Sequence, residues 1–257
     1  MTSIFISSAV AVFIYMIIVF IIAQFKMNNS IVDIAWGPGF FIIALVQLIL
    51  KDNPNINDSI ISLIVFIWAL RLSVHIYLRS RGKQEDFRYA QWRKEWGDKA
   101  MINAFVRVFM LQGLIMLVVA LPIMLTFYNS HGSHILFSFA GLLIYVFGLS
   151  FESIGDYQLY KFKKNKDNKG KIIQSGLWKF TRHPNYFGEA VLWWGIGIYA
   201  IGTGSTIAAL TGPLVINLLL VYVSGIPLLE KKYEGNTEWG EYKINTPAFI
   251  PLIGKKG

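Results

Sequence analysis

Seven long apolar stretches, separated by polar and charged segments, dominate the chain. They run approximately from Ile4 to Phe25, Ile31 to Leu50, Ser59 to Leu78, Ala104 to Phe127, His134 to Gly155, Asn185 to Ile201 and Thr206 to Leu229. A helix crossing a hydrocarbon core roughly 30 Å thick needs about 20 predominantly apolar residues. The pattern therefore predicts an all-α integral membrane protein with seven transmembrane helices. It predicts a single multi-pass domain over residues 1–257, ending in a polar tail from 230 to 257. Composition supports this reading, since 54% of residues are hydrophobic and only 15% charged, which excludes a soluble globule with an ordinary charged surface.

Charge orients the bundle, because Lys and Arg are retained on the cytoplasmic side. The segment from Arg79 to Asn103 holds seven Lys or Arg, that from Asp156 to Tyr186 eight, and the tail from Glu230 five. The opposite connections, Lys51 to Asp58, Tyr128 to Ser133 and Gly202 to Ser205, hold one Lys between them. The N-terminus is therefore expected outside and the C-terminus in the cytoplasm. The first apolar run lacks a positive n-region and reads as a retained span rather than a cleaved signal. A formal net charge of +9 follows from this topology and from attraction to anionic lipid, and argues for no nucleic acid partner. The chain has no cysteine, which excludes structural disulfides, thiolate-held zinc and cysteine-held clusters.

No GxGxxG, Walker A or HExxH pattern exists in the chain, so a Rossmann half, a P-loop and a zincin are not indicated. The pair His131 and His134 in "HGSH" has no nearby acidic ligand and reads as a turn, not a metal site. The informative residues are the few acids. Asp33, Glu152, Asp156, Glu189 and Glu230 all fall at predicted cytoplasmic ends of spans, where charge is costly unless it lines a cavity or is paired. Their shared depth predicts a polar chamber opening to the cytoplasm. Glu152 and Asp156, and Asn185 and Glu189, are four apart and stack on one helical face, as do Arg71, His75 and Arg79. In "SGLWKFTRHPNYFGE" the proline falls at a first helical position, so free backbone N–H groups beside Lys179 and Arg182 form an anion site. Lys161, Lys163, Lys164, Lys166, Lys169 and Lys171 lie just upstream. A bulky anionic cofactor fits such a doorway. The structural alternatives are a lysine run that only orients the chain or touches lipid, a Glu189 that complements a helix dipole, and an Asp33–Arg71 ion pair between the second and third spans.

"LWKFTRHPNYFGE", "FESIGDYQLYKFK" and "KKYEGNTEWGEYKINTPAFIP" strongly resemble the steroid 5-alpha-reductase family, and "IVDIAWGPGF" with "LIVFIWALRLSVHIYLRSRGKQEDFRYAQWR" resembles its large, mostly bacterial branch. The resemblance covers nearly the whole chain and implies a seven-helix membrane reductase, of the bacterial inner membrane type. Such an enzyme uses NADPH to reduce an activated carbon-carbon double bond in a steroid-like or other lipid. By position it implies a cofactor site of Glu152, Asp156, Lys163, Trp178, Asn185, Glu189 and Tyr233, with Arg182, His183 and Tyr186 in the sterol-reductase style of the motif. It implies a cytoplasmic face for that site, a lipid substrate, and no obligate protein partner. The family's substrate pair is a glutamate in the second span and a tyrosine in the third. The nearest counterparts are Asp33 and Trp68, followed by Arg71, and an indole N–H donates a hydrogen bond without giving up a proton. The "RHPNY" helix start is also similar to isoprenylcysteine and phospholipid methyltransferases, which use S-adenosylmethionine. A non-catalytic lipid-binding protein on the same scaffold is a third reading.

Overall fold

The computed structural model describes residues 1–129 and 134–252; His131 lies outside the described residues. Among these the secondary structure is helical throughout, without strands. The helices are α1 (Thr2–Phe25), α2 (Ile31–Leu50), α3 (Ile56–Ser80), α4 (Phe87–Trp96), α5 (Ala100–Ala104), α6 (Leu111–Val119), α7 (Leu121–Asn129), α8 (Ile135–Lys164), α9 (Pro184–Gly202), α10 (Thr211–Leu218), α11 (Ile226–Lys231) and α12 (Thr237–Asn245). Wider π-helical turns occupy Phe105–Met110 and Leu219–Val223.

Six helical stretches are long and apolar enough to cross a membrane: Thr2–Phe25, Ile31–Leu50, Ile56–Ser80, Phe87–Val119, Ile135–Lys164 and Ile207–Lys231. The chain is an integral membrane protein. Two spans differ in their bounds from the sequence expectation. The fourth span was placed over 104–127, but helix begins at Phe87 and breaks at Ala120, because Pro122 lacks an N–H and its ring disfavours the preceding helical turn. The fifth was ended at Gly155, whereas α8 continues nine residues further to Lys164. The sixth expected span corresponds to α9. This helix is not among the six, since Pro184, Asn185 and Glu189 in its first turns lower its mean hydropathy; twelve of its nineteen residues are buried.

The chain divides into two compact units, Met1–His134 with Thr203–Thr211, and Ile135–Gly202 with Gly212–Gly257. In the first unit α2 and α3 form an antiparallel pair. A capping box starts α3: the Asn55 side chain accepts from the backbone N–H groups of Asn57 and Asp58, and Asp58 accepts from Asn55. Buried Asp58 is neutralised by Lys51 at 2.7 Å. Pro38 inside α2 frees the carbonyl of Ile34 four residues back. The Ser73 hydroxyl of α3 donates to that carbonyl at 2.8 Å, so the proline's lost bond is replaced from the neighbouring helix. Phe40 and Trp68 meet edge to face at 5.6 Å in the core.

The second unit is organised by a seam of glycines. Gly141 and Gly148 on α8, and Gly188, Gly195 and Gly202 on α9, recur every seventh residue along each helix. A Cβ built at any of them falls 2.3–2.4 Å from a backbone nitrogen of the facing helix: Tyr199, Leu192, Glu152, Tyr145 and Ser138 respectively. The two backbones touch, as small residues permit where lipid provides no hydrophobic drive between helices.

Candidate functional site

The predicted site residues fall into both units, each with a polar cluster, half-buried in the first and buried in the second. In the first, α4 begins at Asp86, whose carboxylate accepts from the Arg88 backbone N–H as a helix cap. From the start of α4 fixed by this cap, Arg88 and Tyr89 reach α2. Arg88 reaches Asp33 Oδ2 at 2.9 Å, and the Tyr89 hydroxyl donates to Asp33 Oδ1 at 2.6 Å. Arg88 also holds Asp86 Oδ1 through its Nε at 2.8 Å. Burial opposes the charge on Asp86, but the hydrogen bonds and charge of Arg88 outweigh it and hold that carboxyl below its ordinary range. The cluster is tied to the turn before α2: Glu85 accepts from the Asn29 N–H at 2.6 Å, and the Asp86 N–H donates to Ser30 Oγ at 2.7 Å. Arg93 completes the tie with a 2.9 Å contact to Glu85.

The ion-pair partner of Asp33 is thus Arg88, where the sequence had raised Arg71, and the phenol beside it is Tyr89, which the sequence reading had not selected. Trp68 is completely buried. It packs on Phe40, seven residues and about 10 Å of helical rise beyond Asp33. Arg71 lies one turn further along α3, back toward the level of Asp33 because the two helices are antiparallel, and is half-buried.

In the second unit the glycine seam ends in a polar strip. Asp156 accepts from Asn185 Nδ2 at 3.1 Å, Glu152 faces Gly188, and Glu152, Asp156 and Glu189 are all buried. Trp178 donates its indole N–H to the Gly155 carbonyl at 3.1 Å. Its own carbonyl accepts from the Tyr242 hydroxyl at 2.5 Å, which burial pushes to a raised pKa. Arg182, 4% exposed, is fully engaged. Its guanidinium reaches Glu230 Oε1 at 2.9 Å and the carbonyls of Lys243 and Thr246 at 2.9 and 2.5 Å. His183 Nε2 lies 3.0 Å from the same Glu230 oxygen, and its ring stacks on Tyr186 at 5.7 Å. Burial lowers the His183 pKa below the ordinary value, and the neighbouring Arg182 charge adds to this, against the opposing pull of Glu230. Tyr233 stacks on Trp239 at 4.9 Å, with the Arg182 guanidinium 5.9 Å over the same indole. Lys163 is exposed near the end of α8.

Glu230 therefore gathers Arg182 and His183 into one closed triad. The guanidinium expected to meet a phosphate is spent on joining the start of α9 to the chain's C-terminal segment. A separate apolar groove of about 730 Å³ runs along α1 and α2, lined by Val10, Ile14, Tyr15 and Val46 among others. Among the described residues no group of His, Asp and Glu is arranged to hold a metal ion.

A family model described as "Protein of unknown function (DUF1295)" matches residues 19–246. The chain is 43% identical over 56 residues to "Steroid 5-alpha-reductase DET2" of Gossypium hirsutum. That match covers 22% of this chain and 22% of the relative, so the chain spans about a fifth of the length of the curated relative it matches. No solved structure matches.

Proposed function

Because this chain belongs to the DUF1295 family and is steroid 5-alpha-reductase-like, we propose that it is an NADPH-dependent membrane reductase. Its substrate is the activated carbon-carbon double bond of a steroid-like or other lipid enone. The reading rests on one observation above the rest: a buried phenol, Tyr89, held at 2.6 Å on a carboxylate, Asp33, that is itself neutralised by Arg88. Hydride addition at the β carbon of an enone breaks the C=C π bond and leaves an electron pair on the carbonyl oxygen; as the carbonyl re-forms, the α carbon takes a proton from water. A preorganised hydroxyl donor in a water-poor site stabilises such an oxyanion. Tyr89 supplies that donor by turning from Asp33 to the substrate oxygen, and Arg88 keeps the released carboxylate compensated. In this reading Asp33 retains its predicted place and Tyr89 takes the role for which Trp68 was the nearest counterpart in the third span. Trp68, buried against Phe40, is a packing residue in this reading.

NADPH, when bound, supplies the hydride. The donor set of the second unit suits a phosphorylated dinucleotide in part. Exposed Lys163 offers a point charge for phosphate, the Asp156–Asn185 pair offers polar groups to ribose or amide, and the stacked His183 and Tyr186 offer a flat face. Trp178, Glu152, Glu189 and Tyr233 complete the set by shaping this end of the seam. Arg182, closed onto Glu230, serves as a positioning residue. In the same proposal α9 is the seventh span, the N-terminus lies outside, and the cofactor residues face the cytoplasm of a bacterial inner membrane.

Thermal unfolding of the purified protein tests the cofactor assignment. A ligand at 100 times its dissociation constant adds about 2.7 kcal/mol, so NADPH raises the midpoint and S-adenosylmethionine leaves it unchanged. The opposite result, or no shift with either, overturns the reductase. With an enone substrate in hand, Tyr89→Phe lowers kcat by roughly 10²- to 10³-fold while the NADPH shift persists. Wild-type turnover in that variant removes Tyr89 from the chemistry.

A further inference from the structure

α8 is 30 residues long, about 45 Å at 1.5 Å per residue. A hydrocarbon core of about 30 Å takes up roughly 20 of them. Its N-terminal half carries no charged residue, so the excess lies at the C-terminal end, from about Gly155 to Lys164. Opposite the glycine seam, Leu143, Phe147, Ile154, Tyr157, Lys161 and Lys164 fall within one arc of the helix. All six are exposed, with Ile154 and Tyr157 at 48% and 63%. The stripe changes in order from aliphatic and aromatic, to a tyrosine, to lysine. The change falls where the hydrocarbon ends by length.

We propose that this stripe of α8 is a docking surface for an anionic phospholipid. The acyl chains lie along Leu143, Phe147 and Ile154, Tyr157 sits at the ester level where tyrosines concentrate, and Lys161 and Lys164 hold the phosphate. Charge selects the occupant. From Tyr157 to Lys171 there are six lysines and one acid, Asp167, so a zwitterionic lipid gains little there and an anionic one is favoured. The Tyr157-to-Lys164 rise of about 10 Å spans the headgroup layer. Lys161 and Lys164 stand outside the residues assigned to the cofactor, so the surface is independent of the reductase reading.

Native mass spectrometry of the full chain in detergent, titrated with phosphatidylglycerol or phosphatidylcholine, provides the test. Phosphatidylglycerol binds more tightly to the wild type. Lys161→Gln with Lys164→Gln weakens its first binding step by roughly 25-fold, at about fivefold per interfacial lysine, and leaves phosphatidylcholine unchanged. The Lys161→Arg and Lys164→Arg pair keeps the preference, and an unchanged melting midpoint in both pairs shows that the fold is intact. The proposal is overturned by an unaltered preference in the glutamine pair or by equal binding of both lipids to the wild type. It is also overturned if Lys166→Gln, Lys169→Gln and Lys171→Gln abolish the preference while the glutamine pair retains it. Displacement of the lipid by millimolar inorganic phosphate would likewise reassign the surface to a free phosphate.

Discussion

Replacing Gly148 by alanine tests the seam that holds α8 against α9. The added Cβ would sit 2.4 Å from the Leu192 nitrogen, 2.7 Å from the Gly188 oxygen and 2.9 Å from the Leu192 Cα. All three are backbone atoms, so no rotamer change relieves the clash and the helices must separate by about 1 Å to restore ordinary contact. A gap of 0.5–1 Å forfeits a quarter to a half of each atom pair's attraction of about 0.1–0.2 kcal/mol. Over the roughly 50 atom pairs of one packed layer the loss is about 3 kcal/mol. Alanine returns about 0.8–1.0 kcal/mol of helix propensity, leaving a net destabilisation of about 2 kcal/mol. Thermal unfolding in detergent is expected to show a midpoint about 4–8 °C lower. Gly240→Ala in α12 is the control, because its Cβ meets nothing within 4 Å, so it leaves the midpoint unchanged or raises it. A Gly148→Ala protein that melts with the wild type would show that backbone contact does not set the stability of this pair.

Three further outcomes follow from the same geometry. Glu230→Gln leaves Arg182, 4% exposed, as an uncompensated buried cation and should cost about 3–5 kcal/mol; an unfolding curve within 1 kcal/mol of wild type would mean that water replaces the carboxylate. Ser73→Ala removes the donor to the Ile34 carbonyl left open by Pro38 and should cost about 1 kcal/mol, measured as a midpoint shift absent from Ser80→Ala on the exposed end of α3. The folded state holds His183 below its ordinary pKa of 6.5, so it favours the neutral ring. That contribution is present above 6.5 and is lost as pH falls through the depressed folded value. His183→Gln should therefore flatten the fall in melting midpoint between pH 7.5 and the folded value, and an identical slope in both proteins would clear His183 of that role.

Much of the architecture was legible because membrane crossing is a local property. Twenty apolar residues in a row satisfy the bilayer whatever else the chain does, so α1, α2 and α3 lie close to where the pattern placed them. The exceptions arose where polarity and length disagreed. α8 outruns its apolar segment because helix continues in water once lysines replace leucines, and α4 was hidden in a charged segment that looked like a loop. The heptad glycines were visible as letters, but their meaning depends on the facing helix being antiparallel and in register. In the candidate site, the acids stand out in the sequence because charge at a span end is costly wherever it occurs. Tyr89 and Arg88 were passed over because "EDFRYAQWR" sits outside the predicted spans.

The sequence alone thus determined the solvent and most of the long helices, since apolar run length depends only on neighbours along the chain. Only the tertiary structure decided the pairings. Asp33 takes Tyr89, 56 residues away, and Arg182 takes Glu230, 48 residues away. A buried charge binds whichever complementary group the packing brings within 3 Å, and that distance is set by helix register rather than by sequence spacing.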